Sequence, residues 1–383
     1  DLLSGNGLRI IDGMIKGIPY IGAYTSSLLF GGEFPGEAIV ARLYSLHIMI
    51  VPALILVFVA VHLFMVVIHK HTHYSGPGRR DDNVVGYPLM PVYVAKAGGF
   101  FFLVFGVIAA IAATFTINPI WNYGPYDPSP VSAGTQPDWY IGWLDGALRL
   151  APSGWDVVIA GFVIPMGVMV PLVVSLVFLA LVAAYPFIEN WVTKDKREHH
   201  VLDRPRNAPT RTAIGAAGVT FYGVLWAGAS TDLIATNFQM SLNQVLTAMQ
   251  ILLILGPVIA YWVTKRACLS LQRKDREMVL HGRETGRVVR LPHGEYIEVH
   301  EPVDKYELWK LVDFKEYEPV LPRPNASGKI TVGNRLRSAI SRLYFEDRIA
   351  PVSKAEYELA HADHAPAIDD KPKSKRKQKA LTK

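Results

Sequence analysis

Hydrophobic residues in this chain gather into long uninterrupted runs at about 43–68, 97–117, 157–185 and 241–263, with a weaker Gly/Ala-rich run at about 212–229. A helix needs roughly 20 consecutive apolar residues to cross a bilayer. The pattern therefore predicts five transmembrane helices, and an all-α integral membrane helical bundle. The connections carry the orientation. Residues 69–96 hold Lys70, Arg79, Arg80 and Lys96, and residues 186–211 hold Lys194, Lys196, Arg197, Arg204, Arg206 and Arg211. By contrast, 118–156 hold only Arg149, and 230–240 hold no Lys or Arg. The positive-inside tendency places the first two connections and everything beyond Lys265 in the cytoplasm, and residues 1–40 outside. A multi-pass plasma-membrane protein is expected.

Five regions follow. Residues 1–40 read as amphipathic outer-surface helices, 41–70 as a transmembrane helix, and 71–266 as four more spans with an outer loop at 118–156. Residues 267–360 form a small mixed cytoplasmic extension, and 361–383 a basic disordered tail. The extension contains a hairpin pattern, Arg287-Val-Val-Arg-Leu291, a Pro-His-Gly turn, then Glu295-Tyr-Ile-Glu-Val-His300. Pro165 and Pro171 fall inside the third run and predict a kinked bundle helix. The loop at 118–156 is long, rich in Pro and Gly, and holds Trp121, Trp139, Trp143 and Trp155. Aromatic anchoring explains part of that; a loop this elaborate also covers a site.

Composition sharpens the picture. Half of the residues are hydrophobic, and the single cysteine, Cys268, excludes an intrachain disulfide. No Cys-x-x-Cys-His run is present, so any haem is b-type rather than covalently attached. The net charge of +6 could point to nucleic acid, yet the basic residues flank apolar helices or lie in Lys371–Lys379. They read as topology and membrane-lipid contact, with no nucleic acid partner. The chain opens at Asp1 without a start methionine or signal sequence, and is expected to begin partway through a longer protein.

Two histidines, His47 and His62, sit fifteen residues apart within the first apolar run. In an α-helix that spacing separates them by roughly 22 Å along the axis and about 60° around it. They cannot share one metal ion, but each could hold a separate haem near one membrane surface. Hydrogen bonds to neighbouring helices, or a place in a proton path, would satisfy the same residues. The outer loop adds Pro137-Asp138-Trp139-Tyr140, with Asp145 seven residues after Asp138. A helix starting near Asp138 would set both carboxylates on one side; a plain helix cap is the alternative use of Asp138.

Pro137-Asp-Trp-Tyr140 resembles the Pro-Glu-Trp-Tyr signature of cytochrome b in quinol:cytochrome c oxidoreductases, with Asp in place of Glu. Gly17-Ile-Pro-Tyr-Ile-Gly22, Arg42-x-x-x-x-His47 and Tyr185-Pro-Phe-Ile-Glu189 are similar to that family in the same order, over roughly residues 5–265. The resemblance implies that His47 is an axial ligand of a low-potential b haem near the outer face and His62 of a high-potential one near the cytoplasm. Arg42 would offset haem propionate charge. Gly7 and Ile11 would line the quinol pocket opposite Pro137, Asp138, Trp139 and Tyr140, with Asp138 as proton acceptor; Asp145 stands where many relatives have a tyrosine, and a second acceptor and a simple polar contact are its two readings. The family clamps each haem between two helices, so the second ligand of each haem is expected from N-terminal cytochrome b helices outside this sequence.

At the cytoplasmic quinone site Lys96 falls near a family lysine, but Ala97 replaces the neighbouring aspartate. His69, His71 and His73 come slightly later than the family histidine; a proton-delivering cluster, an inert surface cluster and a metal site are the three readings. The insertion at 121–136 and the long C-terminal extension resemble actinobacterial cytochrome b. That likeness implies a menaquinol:cytochrome c reductase subunit beside a Rieske iron-sulfur protein and a c-type cytochrome, in a homodimer of complexes, with an aa3-type oxidase as supercomplex partner. The di-haem membrane anchor of another respiratory dehydrogenase would share the paired histidines, but has no need of the aspartate loop. A haem-free transporter would use the histidines in a proton relay and show no Soret absorption, and a purely structural subunit leaves the paired histidines, Arg42 and the aspartate loop unexplained together.

Overall fold

Among the described residues four helices are long and apolar enough to cross a membrane, at Ile39–His69, Leu89–Thr114, Met166–Thr193 and Leu242–His281; a fifth crossing exists if Pro209–Gly228 and Thr231–Asn237, bent by 69°, count as one broken span. The computed structural model describes residues 2–86, 88–125, 127, 135–312, 318–325, 327–345, 348–350 and 352–362. Residues 126 and 128–134 of the insertion, and all but the first two residues of the 361–383 tail, lie outside the described residues.

In chain order, α1 (Leu2–Lys16) and α2 (Gly22–Phe30) precede α3 (Ile39–Ser45), which runs through a π-turn, Leu46–Ile50, into α4 (Val51–His69). After β1 (His73–Tyr74) come α5 (Val94–Thr114), α6 (Gly142–Leu150), the strands β2 (Asp156–Ile159) and β3 (Phe162–Pro165), and α7 (Met166–Thr193). Then follow β4 (Val201–Leu202), α8 (Pro209–Gly228), α9 (Thr231–Asn237) and α10 (Leu242–His281). The extension comprises β5 (Arg283–Arg290), β6 (Tyr296–Glu301), α11 (Lys305–Val312), α12 (Val332–Phe345) and α13 (Lys354–Ala362).

One correction concerns the third apolar run. Its first residues form not a helix but the antiparallel β2–β3 hairpin, which pairs Ile159 with Phe162. The two-residue turn Ala160-Gly161 has φ of 51° and 83°, the left-handed pair that a tight hairpin with correctly twisted strands requires. Pro165 therefore ends β3 and leads into α7, while Pro171 and Pro186 are the prolines inside the helix. The predicted extension hairpin is present as β5–β6, antiparallel and starting four residues earlier, at Arg283.

The helices fall into two groups. In α6, α8 and α10, small residues let the backbones approach: a Cβ on Gly146 would run into the Leu225 carbonyl, and one on Gly228 would press on Leu150. Ala147, Leu150 and Leu225 form the buried core there, with Trp143, Phe221 and Leu253 packed around them. In α4 and α5, by contrast, no residue is buried. A helix apolar all round needs lipid or other helices over its surface. Most of the first 125 residues thus present their spans outward.

A capping box starts α10: Ser241 Oγ accepts from the Gln244 N–H at 3.2 Å, and Gln244 Oε1 accepts from the Ser241 N–H at 3.0 Å. Its 40 residues give a length of about 60 Å, roughly twice a bilayer's hydrocarbon thickness. Charge begins only at Lys265, so the final turns stand in water. There the extension clamps the helix ends: Arg276 pairs with Glu356 at 2.7 Å, and Gln272 Oε1 accepts from the Ile349 N–H at 2.8 Å. On α7, Glu189 accepts from the Tyr344 hydroxyl and from Arg211 Nη1 at 3.3 Å, while Arg211 Nη2 donates to Asp203 at 2.7 Å. Burial, and then donation to the Glu189 carboxylate, push the Tyr344 hydroxyl pKa up. Tyr344→Phe should weaken docking of α12 by about 1–3 kcal/mol, because Glu189 loses a donor in a half-buried site. Limited proteolysis between α11 and α12 would read this as faster cleavage; unchanged protection would count against the clamp.

Candidate functional site

A cavity of about 430 Å³ lies between α1, the segment 135–138 and α6. From α1 it receives Asn6, Gly7, Ile10 and Ile11, from the segment Gln136, Pro137 and Asp138, and from α6 Leu144, Asp145, Leu148 and Arg149. The α1 wall is fixed from two sides. Asn6 Nδ2 donates to Thr135 Oγ1 at 3.1 Å. Buried Asp12 accepts from Lys16 Nζ at 2.8 Å and from the Ser26 hydroxyl, which ties α1 to α2. Opposite, Gln136 is held through its backbone: its N–H donates to Asn118 Oδ1 at 2.8 Å, and its carbonyl accepts from Asn118 Nδ2 at 2.7 Å.

The segment after Pro137 is a turn rather than the first turn of a helix, because Ile141 and Gly142 both donate to the Asp138 carbonyl and α6 begins at Gly142. The Asp138 side chain does not cap that helix. It is exposed and accepts from the Tyr140 hydroxyl at 2.9 Å. That bond to a carboxylate raises the Tyr140 pKa. Tyr140 and Trp139 do not themselves line the cavity; Tyr140 reaches it through Asp138, and Trp139 anchors the turn by accepting from Trp226 Nε1 at its carbonyl, 2.9 Å.

Asp145 lies deeper. Its Oδ2 is 2.7 Å from Arg149 Nε, one helical turn on. Burial pushes the Asp145 carboxyl pKa up, Arg149 pulls it back, and the nearby charge of Asp232 pushes it up again. Asn6, Gln136, Arg149 and Asp232 were not singled out from sequence. Arg149 was legible as an i,i+4 partner of Asp145, and Gln136 as the neighbour of Pro137. Asp232, more than eighty residues away, carried no signal.

Both histidines lie on the exposed surface of the α3–α4 helix, in a stretch from Leu46 to Ile68 that is apolar apart from the two rings, and neither imidazole has a hydrogen-bond partner among the described residues. Each therefore has a ring nitrogen available, and that donor set fits axial ligation of a b-type haem. His47 falls within the π-turn. A π-turn takes an extra residue per turn and rotates less at each one, which swings His47 back towards the azimuth of His62. Arg42 donates from Nη1 to the carbonyls of Leu28 and, at 2.9 Å, Leu29, binding the start of this helix to the end of α2.

The three later histidines separate. His69 ends α4, exposed, and Lys96 stands exposed in the first turn of α5. His71 Nδ1 meets the Thr72 carbonyl at 2.8 Å. His73 is 6 % exposed, accepts from the Val85 N–H at Nδ1, 3.2 Å, and donates from Nε2 to the Arg80 carbonyl, 3.1 Å. It is a structural histidine with its proton on Nε2. Among the described residues no group of three or more His, Cys, Asp or Glu is arranged to hold a metal ion.

Two outward imidazoles on an apolar helix, and a cavity lined by Pro137, Asp138 and Asp145, match a membrane subunit of the cytochrome b class. A family profile described as "Cytochrome b(N-terminal)/b6/petB" matches residues 1–125. The chain is 50% identical over 371 residues to a protein of Streptomyces coelicolor, covering 95% of this chain and 68% of that one. It is 46% identical over 304 residues to one of Mycobacterium leprae, covering 79% and 55%, and 44% identical over 303 residues to one of Corynebacterium diphtheriae, covering 79% and 56%. Each is described as "Cytochrome bc1 complex cytochrome b subunit". The chain belongs to this actinobacterial family of b-type haem-binding membrane subunits.

Proposed function

We propose that the chain is the part of a menaquinol:cytochrome c reductase that oxidises quinol in the α1–α6 cavity. The observation that carries this reading is the convergence of Gly7, Ile11, Pro137, Asp138 and Asp145 on one cavity, from segments more than a hundred residues apart. Its partners are a Rieske iron-sulfur protein and a c-type cytochrome, as expected of a bc1 complex. Menaquinol as substrate, a homodimer of complexes and an aa3-type oxidase neighbour follow from the actinobacterial likeness.

Oxidising a quinol releases two electrons and two protons. One electron leaves to the Rieske partner, and two b-type haems, when bound at His47 and His62 with second ligands from other helices, supply one-electron carriers that take the other across the membrane. The chain's own residues handle position and protons. Leu144, Leu148, Ile10 and Ile11 form apolar walls suited to a flat ring. Asp138, exposed, takes a proton and passes it towards water. Its hydrogen bond from Tyr140 fixes the carboxylate until substrate displaces that donor. Asp145 is the second acceptor, its raised pKa bringing it nearer the working range of a base. At the other surface Lys96 and His69 stand ready to meet a reducing quinone.

Asp138→Asn keeps the shape and removes the base. Quinol oxidation by the intact complex should fall by about 10²-fold or more, with the reduced b-haem spectrum unchanged. Loss of haem, or an unchanged rate, would remove Asp138 from this role.

A further inference from the structure

Asp232, in the first turn of the short helix α9, holds two walls of the cavity at once. Its Oδ2 accepts from Gln136 Nε2 at 2.7 Å, and its Oδ1 lies 3.2 Å from Arg149 Nη1. Arg149 thus stands between two carboxylates, with Asp145 on Nε and Asp232 on Nη1. We infer that Asp232 is a positioning residue for quinol oxidation, dividing the Arg149 guanidinium with Asp145 and so fixing how readily Asp145 takes a proton.

Charge and geometry both support this. One cation shared by two anions leaves the trio with a net negative charge, so a proton is accommodated most easily on the carboxylate that holds Arg149 less firmly or is more buried. The two criteria oppose each other here: Asp145 holds Arg149 more closely, at 2.7 Å against 3.2 Å, but is the more buried, its side chain 20% exposed against 35% for Asp232, and burial is the larger effect. The other titratable or charged groups around Asp145 are Arg9 on α1, Asp138, Tyr140, and Tyr222 on α8, which stacks on Trp143 at 6.2 Å. From α7, α8 and α10 no Asp, Glu, Lys, Arg or His comes near: their first such residues in the chain, Glu189, Arg211 and Lys265, belong to the opposite ends of those helices. The field at Asp145 is therefore set by few groups, and Asp232 is the carboxylate among them that lies outside the cavity lining. Gln136 adds rigidity. It is 3% exposed, and its amide is oriented by Asp232.

The inference rests on the quinol-oxidation reading, and the test separates the two. In purified intact complex, the pH dependence of kcat is measured with a short-chain 1,4-naphthoquinol and the c-type acceptor. Asp232→Asn keeps an acceptor for Gln136 but gives Arg149 wholly to Asp145; the acid limb should move to lower pH by about 0.5–1 unit, with haem spectra unchanged. Asp232→Glu should return the limb towards its original position, and Asp145→Asn should abolish it. A rate lowered equally at every pH in Asp232→Asn would make Asp232 a brace only and overturn the inference, as would an unchanged profile. An acid limb that survives Asp145→Asn would overturn the role of Asp145, and this inference with it. Loss of Asp138 dependence, with the Asp232 shift intact, would instead fault the wider reading.

Discussion

His47→Ala is expected to remove one of two b-type signals from the dithionite-reduced spectrum of the intact complex, His62→Ala the other, and the double variant both. The two rings lie too far apart along one helix, roughly 22 Å, to serve a single iron. Each substitution should therefore act on one haem alone. The functional losses also differ. Without His62, quinol should still deliver an electron as far as the His47 end, seen as reduction of one haem that is not reoxidised across the membrane. Without His47, neither haem should be reduced by quinol through this path, and steady-state turnover should collapse. Loss of both signals from either single variant would mean that the helix itself fails. Retention of both would reassign the histidines to hydrogen bonds or a proton path.

Gly146→Ala should be nearly as damaging, although Gly146 touches no substrate. Its Cβ would enter the Leu225 carbonyl and lie 2.9 Å from the Ala229 nitrogen. Neither is the tip of a flexible side chain, so α6 must lift from α8, at a cost of about 1–3 kcal/mol or more. Leu144, Asp145, Leu148 and Arg149 move with it, and a displacement of about 1 Å in a reacting geometry can cost on the order of 10²-fold in rate. Quinol oxidation should drop by about that factor while both haem signals persist. Gly218→Ala, on the same helix pair but with nothing within 4 Å of its added methyl, is the control. Equal activity in the two variants would show that α6 is not held by this close approach.

Much of this architecture was readable from residues alone, because long apolar runs admit few solutions in a membrane. The run at 43–68 lies within Ile39–His69, and that at 241–263 falls on Leu242–His281 but for the capping Ser241. The run at 157–185 misled for a definite reason. Asp156-Val-Val-Ile and Phe162-Val-Ile-Pro are apolar enough to read as span, and their split by a two-residue Ala-Gly turn is a hairpin signal that hydropathy averages away. The weaker run at 212–229 was visible only as composition. Its meaning is contact: Gly228 of α8 admits Leu150 of α6, and Thr220 of α8 packs where Gly256 of α10 carries no side chain. Gly7, Ile11, Pro137, Asp138 and Asp145, legible in the sequence through the family motifs and their spacing, line one cavity, while Trp139 and Tyr140 stand just outside its wall. Asp232 could not be foreseen, because nothing local distinguishes a first-turn aspartate that caps from one that reaches across to another helix. The same holds for His73, whose alternation with His69 and His71 hides a buried, fully bonded ring.

The π-turn at Leu46–Ile50 is the equivalent of one residue spliced into an otherwise regular helix. Removing one residue there would turn the segment into ordinary α-helix and leave its two flanks in nearly their present phase, whereas removing one from the regular stretch between Val51 and His62 would rotate everything upstream by about 100° with an axial slip of about 1.5 Å. Arg42, α2 and the α1 wall of the cavity would be carried with it, while His62 and the rest of α4 stayed in place. The turn is thus a joint at which this helix can gain or lose one residue without turning the cavity half of the protein against the histidine half.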